Sequence, residues 1–295
     1  MNSFKKVLSF QRSTVTFCVY FLLVLDSATC NSEDEENLLA VRQHGGYLSF
    51  PDALSEYTDP KFQSNDNVQG LLRIYRTNCP MYFGKSQDRK LTSRHIFVAV
   101  EGTHRITRNI VSNKLAERLG ANHMYSPPAF MTRTKLVHND TNGMKRAFFM
   151  LGIYATAHIV RDAVSELPIV TAGYFVDQIA FSIASAFEHE LPNRESVLYK
   201  WPKDLLKPDI LFFINTPSQL TKKTIDLLSF RGRIVQIYRN WEQPPPVVEV
   251  NNTNLYDGMV DLMMKIIKTK LNYEGSPIPV AEDDDINCCF FTNNR

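Results

Sequence analysis

The stretch "IFVAVEGTHRITRNIVSNKLAERLG" (Ile96–Gly120) decides the fold. Its apolar, β-branched opening reads as a strand buried on both faces, and "NIVSNKLAERLG" reads as an amphipathic helix ending at Gly120. A strand, a glycine and a helix in this order make the framework of a phosphate-binding loop, whose G-x-x-x-x-G-K-S/T pattern cradles phosphate with backbone amides. Gly102 fits the first position, whereas Thr107, Arg108 and Asn109 stand where the second glycine, the lysine and the hydroxyl residue belong. A β-branched threonine is poorly suited to the close backbone approach that glycine permits. Arg108 keeps the charge in a larger, planar group, and the carbonyl oxygen of Asn109 is an unusual magnesium ligand. The stretch therefore predicts the framework of the loop with its chemistry weakened.

Working outward, "PIVTAGYF", "PDILFFINT" and "PVVEVN" read as further strands. Between and after them, "GMKRAFFMLGIYATAHIVRDAVS" is a helix apolar nearly all round, "DQIAFSIASAFEHE" is a helix capped by Asp177, and "PSQLTKKTIDLLSF" and "LYDGMVDLMMKIIKTKL" are helical. Strands separated by helices imply an α/β fold with a parallel sheet of about five strands and helices on both faces, "HIFVAV", "PIVTA" and "DILFFIN" being central. This domain is expected over residues 93–272, with a tail at 273–295. Residues 31–92 are acidic and polar without sustained periodicity and read as a partly ordered extension. Within it, "VQGLLRIYRTNCPMYF" is apolar enough to pack, and Gly84-Lys85-Ser86 is a solvated linker, because no strand runs into it and no helix follows.

Residues 1–30 are a targeting segment. Lys5, Lys6 and Arg12 precede the apolar run "VTFCVYFLLVL", and small residues follow in "DSATC", which is the layout of a secretory signal peptide. A mitochondrial presequence and a short membrane anchor are the alternatives. On the secretory route Asn139 and Asn251 become glycosylation acceptors, and Cys79 is a candidate to bridge to Cys288 or Cys289, since adjacent cysteines rarely pair with each other. The chain of 295 residues carries a net charge of +2, which gives no reason to expect nucleic acid as a partner. No cysteine and histidine spacing resembles a metal site.

The order of segments from Arg94 to Leu271 resembles the thymidylate kinase family, in particular its mitochondrial UMP-CMP kinase branch. "FVAVEG", "KLAERL", "YSPPAF", "KRAFFMLGIYATAHIV", "PIV" followed by Tyr174 and, most specifically, "YKWPKDLLKPDILFFIN" carry the likeness. The resemblance implies a P-loop NTPase-like fold, transfer of the ATP γ-phosphoryl to a nucleoside monophosphate with magnesium, and a homodimer as a possible assembly. It makes Gly102, Thr107, Arg108, Asn109, Arg133, Arg146 and Tyr174 the nucleotide-binding candidates. It also exposes the departures. An Asp-Arg pair should precede Tyr174, and Ala172 and Gly173 stand there; the arginine-rich lid is shortened and retains Lys222, Lys223, Arg231 and Arg233; Ile153 replaces a polar residue on the acceptor side.

Phosphoryl transfer needs cations and metal aligned together on two polyanions, and several of those groups are altered at once. The sequence thus predicts a catalytically inactive, secreted protein that works by binding an unidentified protein or a nucleotide, with no cofactor. The alternative is a divergent dTMP, UMP or CMP kinase using ATP and magnesium, in mitochondria or the secretory lumen. A third possibility, hydrolysis by Glu101, His104 and Arg105, has the weakest support, because a histidine in such a loop is usually just exposed.

Overall fold

The computed structural model describes residues 32–84, 92–132, 142–215, 229–251 and 256–280. The targeting segment, Lys85, Ser86, Arg133, Asn139, Lys222, Lys223, Cys288 and Cys289 lie outside the described residues.

Three helices lead, α1 (Ser32–Gln43), α2 (Phe50–Thr58) and α3 (Asp66–Asn78). A short strand β1 (Ser93–Arg94) then runs into β2 (Phe97–Gly102), α4 (Arg105–Leu119), β3 (Asn122–Tyr125) and the single turn α5 (Ala129–Thr132). The rest is α6 (Asn142–Ala163), β4 (Ile169–Ala172), α7 (Phe175–Ala186), β5 (Ile210–Asn215), α8 (Phe230–Asn240), β6 (Val247–Asn251), α9 (Tyr256–Leu271) and β7 (Ile278–Pro279). The main sheet is five-stranded in the order β3-β4-β2-β5-β6, and all its pairings are parallel. The three strands expected to be central are central. β1 and β7 form a separate antiparallel pair.

Strand alternation sorts the core into two clusters, one on each face. Val98 and Val100 of β2 point to the side of Val111, Leu115, Met263 and Ile267, where α4 and α9 pack. Phe97 and Ala99 point the other way, into a larger cluster that includes residues of α6, α7 and α8. The edge strand β3 escapes a reading by apolar run, because "NHMY" offers none; it is placed by register, Asn122 lying beside Ile169 and Tyr125 beside Ala172.

The described part of the extension at residues 31–92 is largely helical. Residues 32–83 form three helices, two of them with side-chain caps, and two 3-10 turns, and they contribute to the larger cluster. Ser49 caps α2 by accepting from the Asp52 amide, and Asn65 caps α3 by accepting from Asn67 and Val68. Val68, Leu71, Leu72 and Tyr75 make one buried stripe on α3. Phe50, Tyr75 and Tyr82 group with Tyr154 of α6, the rings of Phe50 and Tyr82 being 4.5 Å apart. Hydroxyls fix the register: Tyr57 donates to the Met144 carbonyl at 2.5 Å and Tyr75 to that of Leu151 at 3.0 Å. A helix apolar nearly all round needs cover on both sides, and the N-terminal helices supply the outer one to α6.

Candidate functional site

At the end of β2 the chain turns at Gly102, whose φ is +155°. The helix that follows begins at Arg105, four residues before the expected start at Asn109. His104 is the reason. Its Nδ1 accepts the Thr107 amide at 3.3 Å and lies 2.8 Å from the Thr107 hydroxyl, so an imidazole caps the helix. The Arg108 amide donates to the His104 carbonyl at 3.0 Å. Amides that a phosphate loop would turn toward its ligand are thus consumed within the chain. Without a glycine at 107 nothing interrupts the first turn, and Thr107 is buried.

Arg108 reaches back across the sheet edge to Gly173 and pairs with Asp177 in the first turn of α7, through Nη1 and Oδ2. Gly173 makes the crossing possible: it has φ +85°, and a Cβ there would lie 3.3 Å from Cζ of Arg108. The arginine absent from position 173 and the one present at 108 therefore compete for the same space. Asp177 does not cap α7, which begins two residues earlier at Phe175. Below this pair Glu101 is fully buried and accepts from the Tyr238 hydroxyl at 2.7 Å. Burial, followed by the nearby Asp177 charge, pushes its carboxyl up to about 8 against the opposing pull of Tyr238 and Arg108. Glu101 is therefore mostly protonated at neutral pH. The site is a closed set of one cation, one carboxylate and one neutral acid.

One consequence is measurable. Gly173→Arg should destabilise by about 2 kcal/mol in denaturant unfolding, since a side chain at φ +85° is strained and meets the guanidinium. Adding Arg108→Ala should recover part of that loss. Strict additivity of the two substitutions would show that the side chains do not share space.

The other candidates disperse. Tyr174 is a core residue, 2% exposed, whose hydroxyl donates to the Leu206 carbonyl at 2.9 Å. Ala172 is buried at the end of β4. Asn109 lines a shallow hollow with Ile110, Asn113, Lys114, Glu117 and Tyr125, a group that includes neither Arg108 nor Asp177. Arg146 stacks over Phe181 at 5.9 Å and donates to the Gln43 carbonyl at 3.4 Å. Its stem packs on Gly45, where an added Cβ would lie 2.2 Å from Cβ of Arg146. Arg233 donates to the carbonyls of Ala184 and Glu188 at the end of α7, and Arg231 sits on the same helix α8. Cys79 lies in the core and bridges no cysteine among the described residues, and burial pushes its thiol up to about 12. Asn251 is exposed at the end of β6. Among the described residues no three His, Cys, Asp or Glu side chains are grouped to hold a metal, and no helix is long and apolar enough to cross a membrane. His104 and Glu101 are engaged by Thr107 and Tyr238, not by each other.

The segment "WPKDLLKPD" holds the frame together. Asp209 accepts both Nη atoms of Arg94, at 2.7 and 2.8 Å, and the Phe97 amide at 2.7 Å. Asp204 accepts the Phe50 amide at 2.7 Å and the Tyr154 hydroxyl at 2.8 Å, tying α2 to α6. The indole of Trp201 packs on Tyr174 and Phe175 and donates to the Leu205 carbonyl.

No family model matches the chain. Human mitochondrial UMP-CMP kinase 2 is 28% identical over 167 residues, which are 50% of this chain and 37% of that protein. Among solved structures, the thymidylate kinase of Candida albicans aligns over 65% of this chain and 98% of its own, at 17% identity and a TM-score of 0.49. Across half its length the chain is thus similar to a UMP-CMP kinase, of which it spans well under two thirds.

Proposed function

We propose that this protein is a thymidylate kinase-like protein, derived from nucleoside monophosphate kinases, whose phosphoryl-transfer site is closed and which acts by binding. The observation that carries the reading is the Arg108–Asp177 pair across Gly173. The cation that should meet phosphate is neutralised from within, and the helix consumes the loop amides beside it. Magnesium does not fit either: Asn109 lies in a different hollow, and the Asp177 carboxylate is held by Arg108. With ATP, magnesium and dTMP, UMP or CMP, a coupled assay on the purified protein should give no measurable transfer, and calorimetry should give no submicromolar nucleotide affinity. Turnover of about 1 per second, abolished by Arg108→Ala, would establish the divergent kinase instead.

The compartment follows from the leader. We read residues 1–30 as directing secretion, with Asn139 and Asn251 glycosylated. The mitochondrial location in the name of the human relative is consistent with the alternative, a mitochondrial presequence. A mass shift on glycosidase treatment of the protein from secreting cells is the expected result. Cleavage on import into isolated mitochondria without such a shift would decide for the other address.

A further inference from the structure

We propose that the hollow on the outer face of α3 is the docking site of this chain's own acidic C-terminal run, Glu282–Asp285, held there by Arg73 and Arg76. The inference is independent of the closed-site reading, and the hollow lies in the N-terminal helices, outside the stretch that resembles the kinases. It starts from a helix face left open to solvent. Val68, Leu71, Leu72 and Tyr75 bury one stripe of α3. Gln69, Arg73, Arg76 and Thr77 are left outward, where with Pro80 they line a hollow of about 620 Å³. A Cβ added at Gly70, one turn before Arg73, would meet no atom within 4 Å.

The charge of the hollow is the second observation. Both arginines are exposed, and among the described residues neither guanidinium has a carboxylate partner, Arg76 lying only over the Phe83 ring at 5.5 Å. Exposed cations elsewhere are matched, Lys114 with Asp257, Arg118 with Asp261 and Arg239 with Glu249. Arg76, in the last turn, also offsets the negative end of the helix, but Arg73 lies a turn earlier. Two guanidinium forks on one face suit carboxylates.

The third observation is where the described chain ends. Val280 donates its amide to the Thr92 carbonyl at 3.3 Å, beside the β1–β7 pair, and His95, just past β1, donates to the Val164 carbonyl at 2.8 Å. Val164 directly follows α6, whose last turns carry His158, with its ring 6.4 Å from that of Tyr82, and Asp162, whose charge reaches Cys79. Cys79 and Pro80 directly follow α3, so Val280 and the hollow flank the same end of α6. Beyond Val280 come fifteen residues, with Glu282, Asp283, Asp284 and Asp285 in direct succession against a single Arg295. Such a length spans up to about 50 Å when extended. A tether of this kind presents the acids at an effective concentration on the order of millimolar, so pairs that are individually weak hold the segment together.

The test places the photoreactive residue p-benzoylphenylalanine at position 290 of the full chain, with reductant present, and identifies the cross-linked peptides by mass spectrometry. Capture of residues 66–83 within the same chain is expected. Arg73→Glu with Arg76→Glu should lower that yield at least about fivefold, as should Glu282→Lys, Asp283→Lys, Asp284→Lys and Asp285→Lys introduced together. Combining the two sets should restore it, which a merely structural effect of either set would not do. A yield indifferent to charge reversal, or capture elsewhere on the chain, would overturn the proposal. Capture between isotopically light and heavy chains would overturn it in favour of a second copy as occupant. Capture lost on adding reductant would overturn it in favour of a tail held by its cysteines.

Discussion

Glu101→Gln is expected to stabilise the protein by about 3 kcal/mol at pH 7. The amide keeps the acceptor for Tyr238 and removes a titration. In the unfolded chain this carboxyl releases its proton near its ordinary value of 4.5, whereas in the fold it holds the proton to about 8. The folded state therefore binds the extra proton across that window, and stability falls as pH rises through it. Urea unfolding of the two proteins should agree near pH 4.5 and diverge steadily toward pH 8. A difference independent of pH would mean that Glu101 is ionised in the fold and held by Arg108.

The second large effect is at Gly102, where alanine is expected to cost about 3 kcal/mol. A Cβ there would lie 2.7 Å from the Ile214 carbonyl oxygen, a backbone atom in the neighbouring central strand, and the φ of +155° is one that side chains rarely adopt. Neither strand can yield without breaking the ladder between them. A loss below about 0.5 kcal/mol in thermal or urea unfolding would show that β2 and β5 separate there more easily than the register implies. The glycine first counted as a phosphate contact is required by packing whether or not phosphate binds.

That double explanation shows how far the sequence could be read. β2, β4 and β5 were legible because strands buried on both faces are written as unbroken apolar runs. β3 was not, since an edge strand four residues long leaves no such mark. The N-terminal helices were hidden by their length: 12, 9 and 13 residues give few turns for a stripe to repeat. The stripe on α3 was nevertheless present. Within the site, the altered positions were visible one at a time, but the bond that joins them was not. Arg108 and Asp177 are 69 residues apart, and only the fold shows that the vacancy at 173 is filled from 108. Likewise, a helix starting at Arg105 could be foreseen only by allowing a histidine to cap it.

The two carboxylates of "WPKDLLKPD" both reach back along the chain, Asp209 to β1 and the first residue of β2 and Asp204 to the helix α2 that precedes them. Since Tyr154 shares Asp204 with Phe50, hydrogen bonds cross the boundary drawn at residue 93 from composition. Local opening of the first helices would strip the cover from the buried rings on α6, so residues 32–84 and the sheet are expected to melt together, with coincident loss of amide protection in hydrogen exchange as the check. A substitution in the leading helices would thereby be felt at the rings packed on α6, inside the larger core cluster.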